Sequence, residues 1–371
     1  MITVPVPLSE RSYEVHIGTP SLDEITKIYE RALGKTSGVA VLVDGQLAQL
    51  SPRAAALTEA LGKRFPGCKT YRLPAGEAAK SLAEVERTCQ WLAENGFDRG
   101  ASLIAIGGGA TSDHVGFVAA IYLRGVQFAV CSTTVLGMVD ASVGGKTGVD
   151  LPAGKNLVGA FFQPKAVIAD LGFLATLPRR EQAAGLAEVV KAGLIADADL
   201  LAQLEAEAAA DRVFTEAALL QAIAAAVRVK VDVVVGDERE SGRRAILNFG
   251  HTVGHALESE SAYALLHGEA VSLGMVAALA FGRARGLTAP ELETRATALL
   301  SRIGLPVDVA RRVNPAVLAR IEVDKKRAAD RLKFVFVPHA GEALLQDVAL
   351  TELQSTLPAA LAGAAGGGGR S

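Results

Sequence analysis

The chain has 371 residues, of which 50% are hydrophobic and 21% charged, and this length is typical of two or three domains. Its 38 lysines and arginines are balanced by 40 aspartates and glutamates, which argues against a protein that binds nucleic acid through a basic surface. The first ten residues, MITVPVPLSE, lack the pattern of a signal peptide, and no apolar run reaches about 18 residues. Three widely spaced cysteines favour neither a disulfide framework nor a sulfur-bound zinc. We therefore expect a cytoplasmic protein with no membrane partner.

Strands and helices alternate through the first half of the chain. Apolar and β-branched runs predict strands at 39–44, 69–73, 102–106 and 126–131. Apolar residues at helical spacing predict helices at 46–62, 81–95 and 113–123. This alternation is typical of a parallel sheet covered by helices, a fold that binds ligands at the carboxyl ends of its strands.

Long helices rich in Ala and Leu replace this pattern from about Leu171. They are predicted at 179–195, 215–235 and 270–285, and the next strand signal comes at 333–337. The segment 142–159, rich in Gly and Lys, is predicted to be a loop. We expect a Rossmann-like α/β domain at 1–170, a mostly α-helical domain at 171–358 and a disordered tail at 359–371.

A run of three glycines, 107–109, lies between a predicted strand and a predicted helix. Backbone N–H groups and the helix dipole at such a junction can hold a pyrophosphate. The G-x-G-x-x-G fingerprint is incomplete because its third glycine would be Ser112, so a dinucleotide site and a plain tight turn are both open. The segment 145–147, Gly-Lys-Thr, is not a P-loop, because the required glycine five residues before it is Asp140.

Three of the six histidines lie within seventeen residues, at His251, His255 and His267. The first two are one helical turn apart, so both imidazoles can bind one metal ion. Glu188 or Glu269 can complete a three-ligand set with an open position, as in catalytic metal sites. The alternative is that these histidines pack or cap helices. The residue after the first histidine is not Glu, which excludes the H-E-x-x-H protease motif.

Several charged residues stand in unusual surroundings. Glu188 and Lys191 lie at i and i+3 on a stretch that is otherwise nearly uncharged, which favours an ion pair that faces a site. Lys230, within VRVKVDVVV, is either a snorkelling side chain or a cation of the site. The two lysines and Asn156 of the segment 142–159 suit a phosphate or carboxylate ligand, although lysines are also common on surface loops.

Longer blocks of the sequence resemble the 3-dehydroquinate synthases of the shikimate pathway. These blocks are GGGATSDHVGF (107–117), YLRG (122–125), STTVLGMVDASVGGKTGVDLPAGKNLVGAF (132–161), GLAEVVKAGLI (185–195), RRAILNFGHTVGHALE (243–258), LHGEAV (266–271) and DKK (324–326). The resemblance implies a phosphate lyase that converts 3-deoxy-D-arabino-heptulosonate 7-phosphate to 3-dehydroquinate and phosphate. The steps it implies are transient oxidation by NAD, phosphate elimination, re-reduction and intramolecular aldol closure.

The resemblance also implies NAD+, a divalent metal (zinc or cobalt) and a homodimer. Two other interpretations stay open. One is a related sugar phosphate cyclase of secondary metabolism, and the other is a metal-dependent polyol dehydrogenase of similar fold. The pairs Lys155-Asn156 and Leu247-Asn248 favour the dehydroquinate branch of the cyclases.

The resemblance assigns roles to individual residues. The metal ligands it implies are Glu188, His251 and His267. The NAD contacts it implies are Asp44, Glu77, Lys80, Gly108, Gly109, Ala110, Asp113, Thr133, Thr134, Asp140, Lys146, Lys155 and Thr176. The substrate contacts it implies are Arg124, Asp140, Lys146, Lys155, Asn156, Lys191, Lys230, Arg244, Asn248, His255, Lys325 and Lys326, of which one of the last two binds phosphate.

Catalysis is assigned to a subset of the same residues. This subset is His255, Lys146, Lys191, Lys230, Arg244 and Asn248. His255 is the expected proton shuttle, because an imidazole titrates near neutral pH. Arg124 resembles an arginine that reaches the phosphate site of the neighbouring subunit.

The chain departs from the common family pattern at three positions. Ser112 replaces a usual glycine, Ser132 replaces a usual proline, and His114 is atypical. None of these changes removes a chemical group. We therefore expect them to affect cofactor affinity more than activity.

Overall fold

The computed structural model describes residues 1–209, 214–325 and 331–365. The chain divides into two compact units. One unit comprises Met1–Pro178 and Lys230–Val235, and the other comprises Arg179–Val229 and Gly236–Ser371. The first break therefore comes after Pro178, later than the boundary that the sequence predicts at 170.

A seven-stranded sheet forms the centre of the first unit. Its strands are β1 (Ile2–Val6), β2 (Tyr13–Gly18), β3 (Val39–Asp44), β4 (Lys69–Leu73), β5 (Ser102–Gly107), β6 (Gln127–Ser132) and, after a separate hairpin, β9 (Val167–Asp170), in the order β1-β2-β9-β6-β5-β3-β4. β1 and β2 pair antiparallel, and all other neighbours in this sheet pair parallel. The predicted parallel sheet is confirmed, while β1, β2 and β9 are not predicted.

Five helices accompany this sheet. They are α1 (Leu22–Leu33), α2 (Gly45–Leu50), α3 (Pro52–Arg64), α4 (Leu82–Glu94) and α5 (Gly109–Ile121). The single helix predicted at 46–62 is wrong, because Ser51 is extended and caps α3 through its side chain while Pro52 begins it. The helix predicted at 113–123 begins earlier, since α5 follows β5 after only Gly108.

The carboxyl ends of β3, β5 and β6 meet at one edge of the sheet. From β3 the chain adds β4 on one side and then β5 on the other, so the strand order reverses between β3 and β5. Open α/β sheets bind ligands outside the strand ends at such a reversal. Asp44 is the last residue of β3, Gly108 and Gly109 follow β5, and Thr133 and Thr134 follow β6.

The segment 142–159 is not the predicted loop. Most of it forms a hairpin of β7 (Lys146–Leu151) and β8 (Gly154–Phe161), paired antiparallel. A Cβ atom on Gly159 would lie 2.3 Å from the carbonyl oxygen of Thr147, so the two strands approach each other only because glycine is present. These glycines therefore permit strand pairing rather than a flexible loop.

The second unit is mainly helical. Its helices are α6 (Arg179–Ala196), α7 (Ala198–Ala209), most of α8 (Glu216–Gly236), α9 (His251–Glu260), α10 (His267–Ala284), α11 (Pro290–Ile303), α12 (Pro315–Lys325) and α13 (Leu350–Ala365), and its hairpin is β10 (Arg331–Phe336) with β11 (Leu344–Ala349). α10 is central and packs against α6, α9, α11 and α13. The predicted mostly helical C-terminal part is confirmed, and β11 is not predicted.

The tail predicted at 359–371 is wrong for residues 359–365. α13 continues through Ala365, and Ala360 and Leu361 are buried in the second unit. These apolar side chains gain packing that a frayed tail would lose. Residues 366–371 lie outside the described part of the chain. In the described ranges, no helix combines the length and the apolar character that a membrane crossing requires.

Candidate functional site

Three helices of the second unit approach one another unusually closely. A Cβ atom on Gly268 of α10 would lie 1.8 Å from the carbonyl oxygen of Ala184 on α6. A Cβ atom on Gly274 of α10 would lie 1.9 Å from the carbonyl oxygen of Gly250, which caps α9. No side chain fits at either position, so glycine lets the three backbones come together. Side chains from α6, α9 and α10 consequently converge.

The convergence brings together Glu188, His251 and His267. The Nε2 atoms of both histidines lie 3.6 Å from Oε1 of Glu188. One donor atom from each residue lies within 4.8 Å of the other two. Glu188 is buried and both histidines are partly buried. Two imidazoles and one carboxylate with this spacing match the donor set of a catalytic divalent metal site.

The second ring nitrogen of each histidine contacts an oxygen on the far side of the ring. Nδ1 of His251 lies 3.1 Å from the carbonyl oxygen of Phe249, and Nδ1 of His267 lies 3.4 Å from Oε2 of Glu258. A carbonyl oxygen only accepts, so Nδ1 of His251 donates and its Nε2 lone pair faces Glu188. Metal-ligating histidines are oriented in this way. The residues present therefore fit a divalent metal ion.

The two histidines have opposite pKa shifts. Burial, with the nearby Lys191 ammonium, lowers the pKa of His251 well below its usual range. Burial also lowers the pKa of His267, but the Glu188 and Glu258 carboxylates outweigh it and raise that pKa to about 9. His251 is thus neutral, the form in which imidazole binds metals, while His267 sits in the negative field that attracts a cation.

The carboxylate that lies beside both histidines is that of Glu188, not that of Glu269. Both oxygens of Glu269 bind the Arg180 guanidinium, at 2.6 and 2.7 Å, and one also accepts from the N–H of Leu266 at the start of α10. The predicted ion pair of Glu188 with Lys191 is present and buried, through the other Glu188 oxygen. The sequence alone leaves both glutamates open, and the structure assigns Glu269 to helix capping.

Five further predicted substrate residues belong to this part of the chain. His255 is exposed on α9, and its ring centroid lies 5.1 Å from that of His251 and 5.9 Å from that of His267. Arg244 and Asn248 lie in a short 3₁₀ helix, Arg243–Asn248, just before α9, where Arg244 is buried and Asn248 is exposed. Lys325 ends α12, and Lys326 lies outside the described residues.

Several of the predicted cofactor residues lie at the carboxyl edge of the sheet in the first unit. Gly108 is the N-cap of α5, which begins with Gly109 and Ala110, so the first N–H groups of the helix, which have no acceptor within the helix, lie at the carboxyl end of β5. Thr133 and Thr134 follow β6, and the Thr134 hydroxyl accepts from the N–H of Gly137 at 3.0 Å. A helix N-terminus that directly follows a central parallel strand is suited to a pyrophosphate.

The Asp44 carboxylate, at the end of β3, accepts hydrogen bonds from three backbone N–H groups. Its Oδ1 accepts from the N–H groups of Gln46 and Leu47 at the start of α2, and its Oδ2 accepts from the N–H of Gly76 at 3.0 Å. Its orientation is thereby fixed. Thr176, also a predicted contact, ends the 3₁₀ helix Leu171–Thr176 and is exposed.

A buried lysine, Lys80, contacts two other predicted residues. Nζ of Lys80 lies 2.7 Å from Oδ2 of Asp113 and also donates to Oδ1 of Asn156. Burial raises the pKa of Asp113 to about 6, although Lys80 opposes this shift. Nearby, Nζ of Lys155 lies 3.7 Å from Oε1 of Glu77. Residues that the resemblance divides between NAD and substrate are thus in direct contact in the first unit.

Lys230 is buried and paired, so its interpretation as a snorkelling side chain is wrong. It belongs to the first unit and donates to the Asp140 backbone oxygen at 2.7 Å and to the Asp140 carboxylate. Asp140 lies in a single π-helical turn, Gly137–Ala141, a feature frequent at functional sites. Lys146 is exposed at the start of β7, and Arg124 is exposed after α5.

Sequence reasoning misses Glu258. It lies seven residues after His251 on α9, therefore on the same helical face, and it is only 4% exposed. A buried carboxylate on the face that carries two histidines is the signal that identifies it.

The chain matches known proteins over nearly its whole length. The family model described as 3-dehydroquinate synthase N-terminal matches residues 70–184, and the one described as 3-dehydroquinate synthase C-terminal matches residues 185–327. A curated 3-dehydroquinate synthase from Azotobacter vinelandii is 45% identical over 365 residues, which cover 96% of each chain.

Solved structures agree in fold. A 2-deoxy-scyllo-inosose synthase complexed with carbaglucose-6-phosphate, NAD+ and Co2+ has a TM-score of 0.82 at 24% identity, covering 96% of this chain and 99% of its own. The 2-epi-5-epi-valiolone synthase ValA from Streptomyces hygroscopicus, with NAD+ and Zn2+ bound, has a TM-score of 0.81 at 27% identity and the same coverage. By its family models and its full-length identity to curated relatives, this chain belongs to the 3-dehydroquinate synthase family.

Proposed function

We propose that this chain converts 3-deoxy-D-arabino-heptulosonate 7-phosphate to 3-dehydroquinate and phosphate. The observation that carries this proposal is 45% identity to a curated 3-dehydroquinate synthase over 96% of both chains. The more remote cyclases, at 24% and 27% identity, support the fold and not their own reactions.

Glu188, His251 and His267 would hold a divalent metal ion, and the N-terminus of α5 with the residues after β3 and β6 would hold NAD+. When bound, NAD+ accepts and returns a hydride, and the metal ion lowers the pKa of a hydroxyl group that contacts it. Neutral His251 would present its Nε2 lone pair to such a cation, and Glu188 would contribute the negative charge that a divalent ion requires.

The remaining polar residues would bind, orient and move protons on the substrate. Lys146 and Lys155 offer ammonium groups to its phosphate or carboxylate, and Arg244 offers a buried guanidinium. His255 is exposed and lies one turn beyond His251, so its imidazole can exchange protons with a bound substrate and with water.

We also propose a homodimer in which Arg124 acts across the interface. Leu123 and Arg124 both have positive φ, at 50° and 69°, so a strained turn presents the arginine. Two large apolar side chains of this turn are exposed, Ile121 at 45% and Leu123 at 39%. Apolar groups exposed together support a protein interface.

The activity test is the release of inorganic phosphate from the heptulosonate phosphate, with the cyclic product identified by mass spectrometry and NMR. We expect 3-dehydroquinate, and we expect a chelator to abolish turnover until Zn2+ or Co2+ is restored. A different cyclic product would assign the chain to the sibling cyclases. NADH accumulation with a polyol, without phosphate release, would assign it to the dehydrogenases.

The dimer test mixes two inactive variants, Arg124→Ala and Lys191→Ala. If the arginine acts across subunits, mixed dimers contain one intact site and recover part of the activity. A mixture without recovery contradicts the shared site, and sedimentation measures the dimer itself.

A further inference from the structure

The segment from α8 to the 3₁₀ helix Arg243–Asn248 folds around a single carboxylate, that of Asp237. Its Oδ1 accepts from the N–H and the hydroxyl of Ser241, at 2.9 and 3.0 Å. Its Oδ2 accepts from the N–H of Gly242 at 2.7 Å and from the N–H of Arg244 at 3.0 Å. Four hydrogen bonds to one side chain fix the backbone of 237–244.

One of these bonds fixes Arg244 directly. Because its own N–H is held, the backbone position from which the guanidinium extends is set by Asp237. The Arg244 side chain is 2% exposed, and its guanidinium donates to the backbone oxygen of Glu238 in the same segment. Because a buried guanidinium has little freedom to rotate, its backbone must already hold it in the correct position to bind an anion.

The segment 237–244 also contacts Asn248, through the side chain of Glu240. Glu240 adopts a φ of +57°, a conformation that residues other than glycine rarely adopt. Its Oε1 accepts from Nδ2 of Asn248 at 3.0 Å. The neighbouring bonds from Ser241 and Gly242 to Asp237 hold Glu240 in this strained conformation. Two residues with an assigned substrate role therefore depend on one carboxylate.

The protonation state of Asp237 agrees with this geometry. Hydrogen bonds from the backbone N–H groups of Arg244 and Ser241 lower the pKa of Asp237 well below its ordinary value. The side chain stays ionised throughout the working range of an enzyme at neutral pH.

We propose that Asp237 is a positioning residue for substrate binding, which presets Arg244 and Asn248 for an anionic substrate through the backbone of 237–244. This inference rests on the proposed function, because that function assigns both residues to the substrate. Asp237 itself has no assigned contact with the substrate or with the proposed metal ligands. Its substitution should therefore change substrate affinity and leave the metal centre unaltered.

The test compares Asp237→Asn with Asp199→Asn, a matched change at an exposed aspartate of α7. Asparagine keeps one acceptor oxygen but turns an NH₂ group toward two N–H donors. For Asp237→Asn we expect about a tenfold higher KM for the heptulosonate phosphate, as a displaced binding group gives. We expect unchanged Co2+ affinity of the metal-free chain, and faster hydrogen exchange at Gly242 and Arg244. Asp199→Asn should leave all three unchanged.

Arg244→Ala separates the possible failures. If it raises KM while Asp237→Asn does not, the Asp237 inference is overturned and the proposed function stands. If Arg244→Ala itself leaves KM unchanged, the assigned role of Arg244 and the inference both fall. If Asp237→Asn lowers Co2+ affinity and the thermal midpoint along with substrate affinity, the role is merely structural and the proposal fails. Asp237→Glu, which keeps the charge but shifts the oxygens, repeats the test should the asparagine variant not fold.

Discussion

Gly268→Ala tests the close helix approach that underlies the metal centre. The added Cβ would lie 1.8 Å from the oxygen, 2.4 Å from the carbonyl carbon and 2.8 Å from the Cα of Ala184. All three are backbone atoms, so no side-chain rotation relieves the clash. α6 and α10 must separate by about 1 Å at this point. Ala184 lies one turn before Glu188, and Gly268 is next to His267, so the separation moves two of the proposed ligands apart.

The expected change in the free energy of unfolding is the sum of two opposing effects. Overpacking typically destabilises by about 1–3 kcal/mol, and a backbone clash belongs at the upper end. Replacement of a helical glycine by alanine stabilises the helix by about 1 kcal/mol and so offsets part of this loss. The net loss of about 2 kcal/mol lowers the Tm by about 4–8 °C for a domain of this size. A metal site tolerates deviations of only about 0.2 Å in its metal–ligand distances, so we expect Co2+ affinity to fall by about 100-fold or more.

The matched control is Gly62→Ala on α3, where no atom lies within 4 Å of the added Cβ. There the same chemical change stabilises by about 0.4–1 kcal/mol and raises the Tm by about 1–4 °C. Calorimetry of the metal-free chain measures both Tm shifts, and the visible absorption of bound Co2+ measures affinity. Opposite signs for the two variants support the reasoning. A Gly268→Ala variant as stable as the wild type, with unchanged Co2+ affinity, would refute the close packing of α6 and α10.

Three further outcomes are expected. Glu258→Gln should weaken Co2+ binding by about 10-fold or more, because the carboxylate orients His267; equal affinity in a Co2+ titration would contradict this. His114 is fully buried, and burial lowers its pKa to about 4. Below about pH 6.5, the usual pKa of histidine, the unfolded chain therefore binds a proton that the folded chain does not bind. The free energy of unfolding consequently falls by about 3 kcal/mol by pH 4. His114→Gln should remove that part of the acid-induced fall in Tm, and a variant with the wild-type pH dependence would contradict the assignment. Lys146→Ala should raise the KM for the phosphorylated substrate far more than the Kd for NAD+, and equal effects would contradict its assignment to phosphate.

The core of the sheet is predictable because its signal is local. β3 and β5 are buried parallel strands, and such strands are continuous apolar runs in the sequence. β1 contains Pro5, and β8 contains two glycines, so neither has the composition of a strand. Their pairing depends on partners elsewhere in the chain, and a local pattern cannot predict it.

The candidate site likewise contains some residues that a local sequence pattern predicts and others that it cannot predict. The spacing of His251 and His255 follows from helix geometry, and the resemblance assigns Glu188 and His267. The choice between Glu188 and Glu269 depends on Arg180, which is distant in the sequence and takes up both Glu269 oxygens. Asp237 carries no motif, because it acts on backbone N–H groups that every sequence possesses.

The different partners of the two histidine Nδ1 atoms make one proposed ligand adjustable and the other not. The acceptor for His251 is part of the main chain, which no substitution removes, whereas the acceptor for His267 is a side chain that one codon change replaces. Variation at position 258 can therefore change the affinity of the proposed metal site while the remaining donors keep their positions.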